Sequence, residues 1–374
     1  MKTIKAQLKK INWIYAINAL IKSKQEKAAF NKTVEYYKNK PAVLLRRPLF
    51  KKKHEGKVRI FYLSTDELQD RSGILQAVEQ IGELFYFTKS DGTYGQYTDG
   101  EIPIRQKRNA NRLLEMFNDL KNKNLVPDIL ISQTFESYID AKVFSFIKKE
   151  FGTLIINIGM DDRHQYWKGT YGLIPHLDLA LTAAPECVEW YEKEACPALF
   201  FPEGSDFKIF HPMPELPKIH DVSFVGAKYG IREKIVKALR EAGVQVTTFG
   251  GGWGTGFLPV EDVPKLFSQS KVILGVGTIG HSSDFYALKM RDFDGPMAGS
   301  CYVTHDNPDL RKLYEIGKEI VTYKTIDECV LKIKELLKNE NKREKIAQAG
   351  FVRARDNHTW IQRFEGLMNY LLKE

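Results

Sequence analysis

Cysteine is scarce in this sequence: Cys187, Cys196, Cys301 and Cys329 are the 4 in 374 residues, and none forms a Cys-x-x-Cys pair. That spacing offers neither a zinc framework nor a disulfide scaffold, and it predicts a reducing compartment. Long apolar runs are also missing, none approaching the ~20 residues that a helix needs to cross a bilayer. The start, "MKTIKAQLKK" running into "INWIYAINALIKSKQEK", lacks the small-residue cleavage site of a signal peptide. The expected location is cytoplasmic. Net positive charge is missing from most of the chain. The formal net charge is +9, yet residues 1–60 hold 17 Lys and Arg against Glu26, Glu35 and Glu55, a net of +14 that leaves −5 for the remainder. A chain-wide basic surface is excluded, which argues against a DNA acceptor.

Core material is plentiful, with 43% hydrophobic and 12% aromatic residues, and the length predicts two domains. Residues 2–27 read as a helix with Ile4, Leu8, Ile11 and Tyr15 on one face and Lys2, Lys5 and Lys9 opposite. Two readings stand for it: a helix packed on the body, or an interfacial helix whose lysines meet an anionic membrane surface, aided by "RRPLFKKK" at 46–53.

From residue 58 strands and helices alternate. Strands are expected at 58–64, 83–88, 128–134, 153–159 and 178–183, with helices at 72–82, 109–124, 138–152 and 186–195. A proline-rich break over 200–220 reads as a linker. The rhythm restarts with strands at 221–226, 244–250, 271–277, 301–305 and 318–323. Helices are expected between them at 231–243, 260–270, 285–299 and 307–317, then at 325–339 and over 341–373. The fold class is therefore α/β, two tandem Rossmann-like domains with ligands at the carboxyl ends of the strands.

Several motifs fall at such ends. "GVGTIG" (275–280) matches G-x-G-x-x-G, but it follows the third strand of its domain rather than the first, where a dinucleotide fingerprint belongs. A nucleotide-dependent oxidoreductase stays a second reading on this motif. A glycine-permitted turn or a turn facing phosphate or sugar are the others. "FGGGWGTGF" (249–257) has no G-K-[ST] ending and is no Walker loop; Gly251 allows close backbone approach, and Trp253 either stacks on a base or caps the core. "IGMDDRHQYW" (158–167) puts Asp162 and His164 after a strand of the first domain as candidate proton handlers. "KSDGTYGQY" (89–97) suits a loop that contacts an acceptor.

"ALKMRDFDGPMAGSCYVTH" (287–305) carries Lys289, Arg291, Asp292 and Asp294. Asp292 and Asp294 match the Asp-x-Asp of metal-binding transferases, but on a helix residues i and i+2 diverge by about 200°, so no shared metal is expected. Arg291 and Asp294 share a face. A guanidinium fork suits phosphate, and a carboxylate can accept from two sugar hydroxyls. The helix start, placed at Ser283–Asp284, would add partial positive charge.

The second half resembles the group-1 glycosyltransferases of the two-Rossmann GT-B architecture, most of all a CgeB-like, spore-maturation branch. The resemblance rests on "VSFVG…R" (222–232), the K-x-R-x-F-[ED]…AG pattern at 289–299, "GKEIVTY" (317–323) and "REKIAQAG…HTW…R" (343–363). It implies a nucleotide-sugar donor as co-substrate, with no bound metal or cofactor, and retention at the transferred sugar. The acceptor would be a glycan, lipid-linked or protein molecule. It also implies Asp294 on the donor ribose, Lys289 and Arg291 on the diphosphate, with help from Arg232. Tyr286 stands where relatives carry the first of two glutamates, which leaves the glycine run and His281 to face the sugar. A last helix crossing back to the first domain is implied as well.

The expected division is a basic helical extension at 1–56, an acceptor domain at 57–205, a donor domain at 206–345 and returning helices at 346–374. Candidate catalytic residues are Asp162, His164, Lys289 and Arg291. Candidate donor-binding residues are Gly226, Lys228, Arg232, Gly251, Trp253, Gly277, His281, Lys289, Arg291 and Asp294. A third class also stands, a non-catalytic membrane- or polyanion-binding protein on a degenerate transferase fold.

Overall fold

The computed structural model describes residues 2–48 and 50–372, with side chains from residue 17 onward. Contacts divide the chain into two compact units: Met1–Tyr36 with Phe210–Ala354, and Tyr37–Ile209 with Arg355–Glu374.

Helix α1 spans Lys2–Asn39. Nothing in those 38 residues is glycine or proline. Pro41 closes the helix, because a residue before proline is pushed out of the helical region. The expected stop at 27 had no breaker behind it. The Ile4–Leu8–Ile11–Tyr15 face and its opposing lysines concern side chains outside the described residues. Farther along, Ser23, Thr33 and Tyr37 are buried, while Leu20 and Ile21 are half-exposed. The segment 1–56 is thus not one extension: it divides between the units after Tyr36.

The unit containing Tyr37–Ile209 holds β1 (Arg59–Leu63), α2 (Glu67–Gln69), a π-turn over 70–74, α3 (Leu75–Ile81), β2 (Glu83–Tyr86), α4 (Ile102–Asn122) and β3 (Ile129–Ser132). It continues with α5 (Lys142–Phe151), β4 (Leu154–Gly159), α6 (Asp162–Gln165), β5 (Leu179–Thr182), α7 (Pro185–Lys193) and β6 (Ala198–Phe200). All strand pairs are parallel, in the order β2-β1-β3-β4-β5-β6. Such strands are covered on both faces, so they read as unbroken apolar runs. Ile60, Phe61, Tyr62 and Leu63 of β1 are wholly buried, as are Ile129, Leu130 and Ile131 of β3. Each such side chain contributes about 1.5–3 kcal/mol of transfer free energy.

The other unit holds β7 (His220–Val225), α8 (Arg232–Glu241), β8 (Val246–Phe249), α9 (Val263–Ser268), β9 (Ser270–Leu274) and α10 (Arg291–Met297). After these come β10 (Cys301–His305), β11 (Val321–Tyr323), α11 (Ile326–Lys338) and α12 (Glu340–Asn357), whose last residues pass to the unit containing Tyr37–Ile209. Its parallel order is β11-β10-β9-β7-β8. Val222 and Phe224 of β7 pack with Ile235 and Leu239 of α8 and with Val272 and Leu274 of β9. The final helix, α13 (Trp360–Leu372), packs on α3 in the unit containing Tyr37–Ile209. Gly73 (φ +128°) lies so close that a Cβ there would stand 2.7 Å from Trp360 Cδ1.

Several elements differ from expectation. Helix α4 begins at Ile102 rather than 109, with Pro103 in its first turn, where a missing N–H costs nothing. Strand β6 occupies 198–200, at the edge of what reads as linker. The expected helix 285–299 shrinks to α10. Residues before it form an antiparallel bridge, Thr278 to Tyr286, flanked by Ile279 N–H to Phe285 O (2.8 Å) and Ala287 N–H to Gly277 O (2.9 Å). Pairing with a distant segment overrides the local helical pattern, and the supposed helix start at Ser283–Asp284 is a loop. Among the described residues no helix is long and apolar enough to cross a membrane.

Candidate functional site

At the carboxyl end of β7 the chain turns at Gly226 (φ +152°), a conformation that side-chain-bearing residues rarely adopt. Gly250 (φ +125°), just past β8, approaches so closely that a Cβ on it would lie 2.5 Å from Gly226 C and O. The Trp253 indole N–H donates to Gly226 O at 2.7 Å, and its ring meets Phe224 edge-on at 6.1 Å. Trp253 is therefore a cap on this turn and on the core, not a free stacking platform.

Two guanidinium groups converge on the turn. Arg291, opening α10, donates from Nη1 to Val225 O at 2.8 Å and lies over the Phe224 ring at 5.2 Å. Arg232, opening α8, donates from Nη1 to Ala227 O at 2.9 Å and lies over Tyr229 at 4.0 Å. Burial, reinforced by the like charge of Arg291, lowers the Arg232 pKa to about 10, so the group stays cationic near neutrality. Arg232 Nε and Arg291 Nε and Nη2 are buried with no hydrogen-bond partner among the described residues. Buried guanidinium N–H groups left without a hydrogen-bond partner are costly. The site can offset that cost by taking an anion with several oxygens.

Around this pair the other sequence candidates take distinct places. Asp294 is buried in the first turn of α10, three residues from Arg291. Asp292 is engaged elsewhere, since Tyr302 Oη donates to one carboxylate oxygen at 2.7 Å and Lys289 N–H to the other at 2.8 Å. The divergence expected of Asp292 and Asp294 takes the form of a brace, with both Asp292 oxygens committed. Lys289 is half-buried just before α10. Lys228, by contrast, forms an ion pair with Glu233 at 2.8 Å, and with Trp253 it lines a cavity of about 660 Å³ beside α8. Gly251 accepts from Lys228 N–H at 2.7 Å. The structure thus gives Lys228 and Gly251 loop contacts of their own, apart from the arginine pair.

The "GVGTIG" run is a strand end followed by an antiparallel excursion. A Cβ on Gly275 would sit 2.1 Å from Tyr302 Oη, and Gly277 N–H donates to His305 Nδ1 at 3.3 Å. Burial lowers the pKa of His305 to about 4, so its imidazole is neutral. Gly280 (φ +52°) packs on α1, where Ser23 Oγ accepts the His281 N–H at 2.8 Å. Lys27 pairs with Asp284, and Phe30 packs on Phe285 at 5.1 Å. No helix follows the glycines directly, so the helix N-terminus of a dinucleotide fingerprint is missing.

The first-domain candidates also separate. Asp162 is fully buried: Thr170 Oγ1 and Tyr191 Oη donate to its two oxygens at 2.8 and 2.9 Å, and burial raises its pKa to about 6. It does not project at the sheet edge as expected. It fastens α6 to α7 and to Thr170 in the turn that follows α6, which removes it as an open base. His164 is half-buried on α6. Sequence reading missed Tyr302, His305 and Ser23, because each acts through a residue far along the chain. Among the described residues no group of three His, Cys, Asp or Glu side chains could hold a metal.

Residues 232–369 match the family described as "Glycosyl transferase-like". No curated protein matches the chain's sequence. Among solved structures, sucrose-phosphate synthase from Thermosynechococcus elongatus superposes with a TM-score of 0.60 at 11% identity, covering 84% of this chain and 98% of that one. Anabaena HepE in complex with UDP and glucose gives 0.61 at 11% identity, with 84% and 99% covered. A glycosyltransferase from Rickettsia africae gives 0.59 at 12% identity, with 86% and 100% covered. The chain has the two parallel-sheet architecture of the GT-B glycosyltransferases.

Proposed function

We propose that this protein is a glycosyltransferase that moves a sugar from a nucleoside diphosphate to an acceptor hydroxyl. The observation that carries the reading is the pair Arg232 and Arg291, whose guanidinium groups converge at the Gly226 turn and keep buried N–H groups with no partner among the described residues. In the reaction the bond between the anomeric carbon and the diphosphate oxygen breaks, and its electron pair leaves with the diphosphate. A bond to the acceptor oxygen forms, and the acceptor proton is released. Charge accumulates on the departing diphosphate, where preorganised cations stabilise a transition state most. Arg232, Arg291 and Lys289 take that role, and Asp294 takes the donor ribose hydroxyls. Asp292 is committed to Tyr302 and Lys289, which supports catalysis without an Asp-x-Asp metal.

The CgeB-like resemblance supports retention of anomeric configuration, which the anomeric proton of the product reads directly by NMR. UDP and glucose in the HepE complex make a uridine donor the first to test. The acceptor, a glycan, lipid-linked or protein molecule, falls to the unit containing Tyr37–Ile209. An anionic membrane surface meets residues 1–53, where exposed Leu20, Ile21, Val43 and Leu44 accompany the lysines. Co-sedimentation with phosphatidylglycerol but not phosphatidylcholine vesicles checks that part. The oxidoreductase reading is not favoured, because the glycine run leads into an antiparallel excursion.

Calorimetric titration with UDP, GDP, ADP and CDP tests the function. Saturable binding of a nucleoside diphosphate, abolished in Arg291→Ala with the fold retained, is expected. Failure of every nucleoside diphosphate to bind overturns the reading.

A further inference from the structure

A second set of buried polar groups lies at the carboxyl edge of the six-stranded sheet. The order β2-β1-β3 places strands on both sides of β1, so the winding reverses there and opens a crevice past the ends of β1 and β3. Ser64 follows β1, Ser132 ends β3, and Thr134 lies two residues beyond. Asn157 of β4 pairs in register with Ser132. Gln96 comes in from a separate loop, where its N–H donates to Ser64 O at 2.9 Å. All five residues are at least 97% buried.

Their hydrogen bonds run one way. Ser132 Oγ and Thr134 N–H both donate to Asn157 Oδ1, at 2.7 and 3.3 Å, and Thr134 Oγ1 donates to Gln96 Oε1 at 2.9 Å. A backbone N–H can only donate, so the Asn157 amide is fixed with its oxygen toward Thr134 and its nitrogen away. Asn157 Nδ2 and Gln96 Nε2 are left buried with no partner among the described residues. Two unpaired amide donors, joined through one threonine, call for acceptor oxygens. Among the described residues no lysine or arginine bonds into this cluster. Asp70 is tied to this cluster: its carboxyl is hydrogen-bonded by Ser64 and accepts from Tyr62 Oη at 3.0 Å, and that tyrosine hydroxyl reaches Gln133 Oε1 at 3.2 Å. A carboxyl there disfavours an anion.

We propose that Gln96 and Asn157 form a subsite for an uncharged, hydroxyl-bearing acceptor, each amide nitrogen donating to one acceptor oxygen. The proposal rests on the transferase reading and names its acceptor class: a neutral sugar or polyol rather than a phosphorylated or acidic one. A site built from amide donors discriminates by leaving them unpaired when the matching oxygen is missing.

The test uses the full chain labelled with ¹⁵N at glutamine and asparagine, titrated with methyl glucoside, methyl galactoside, methyl mannoside, N-acetylglucosamine and glycerol. Glucose 6-phosphate serves as the anionic control. The side-chain NH₂ resonances of Gln96 and Asn157 should shift saturably with at least one neutral compound and less with the phosphate. Gln96→Met and Asn157→Leu should each weaken that binding by roughly tenfold or more, with nucleoside diphosphate affinity unchanged. The idea is overturned if no neutral compound moves these resonances, as when water alone fills the amides. It is equally overturned if the phosphate binds as well, or if folded variants bind normally. Nucleoside diphosphate binding on the same sample separates failure of this subsite from failure of the transferase reading.

Discussion

Arg232 and Arg291 stand on two different helices, yet their Nη1 atoms come within 3.4 and 3.1 Å of the place a Cβ on Gly226 would occupy. Two like charges are held together there by backbone carbonyls and by the faces of Phe224 and Tyr229. Each charge-assisted bond to a bound phosphate contributes about 1.5–3 kcal/mol. Arg232→Ala and Arg291→Ala should therefore each weaken UDP binding roughly 10- to 150-fold. Uridine without phosphates should bind the variants as it binds the wild type, which calorimetry checks.

Gly226→Ala pushes a methyl group against both guanidiniums and to 3.2 Å from Phe224 Cζ, in a backbone conformation that alanine resists. Overpacking of this kind costs about 1–3 kcal/mol. The expected outcome is a lower melting temperature together with lost diphosphate affinity, read by thermal denaturation with and without UDP.

Ser23 is 4% exposed and holds the His281 N–H from another segment of the chain. Ser23→Ala leaves that part-buried amide without its acceptor, a cost of at most about 1–3 kcal/mol. Hydrogen exchange at His281 should quicken, with little change at amides of β1 and β3. Unchanged exchange at His281 would show that α1 does not brace this loop.

Acid should act on the protein through His305. Burial lowers its pKa from 6.5 to about 4, so as pH falls the unfolded chain takes up this proton first. The stability contributed by the neutral ring is whole above pH 6.5 and is lost as pH falls toward 4, by at most about 3 kcal/mol. Asp162 works in the opposite sense. Its pKa is raised from 3.8 to about 6, so its contribution grows as pH falls through the same range. His305→Asn should lose less stability than the wild type between pH 7 and pH 4.5, as measured by urea unfolding at both.

Much of this architecture was legible in the sequence. Strands such as "VRIFYLS" and "DILISQT" are unbroken apolar runs, and a parallel sheet covered on both faces produces nothing else. The break at 200–220 marked the restart, and the K-x-R-x-F-D spacing brought Arg291 forward. Less legible was anything set by partners far apart in the chain. The run 285–299 has a helical pattern, but Tyr286 pairs with Thr278, so α10 starts only at Arg291. Asp162 reads as a loop acid and is a buried tie between Thr170 and Tyr191. Trp253 reads either as a stacking surface or as a cap on the core, and its bond to Gly226 O makes it the cap.

The sequence by itself determined the two β-α series, the confinement of net positive charge to the first 60 residues and the cluster that holds Arg291. Those depend on periodicity and composition, which are local. Tertiary structure alone decided which charges are free. Lys228 is neutralised by Glu233, and Asp292 is held by Tyr302, but Arg232 and Arg291 retain N–H groups with no partner among the described residues. A side chain's availability depends on what packs against it, and packing brings together residues that the sequence keeps far apart.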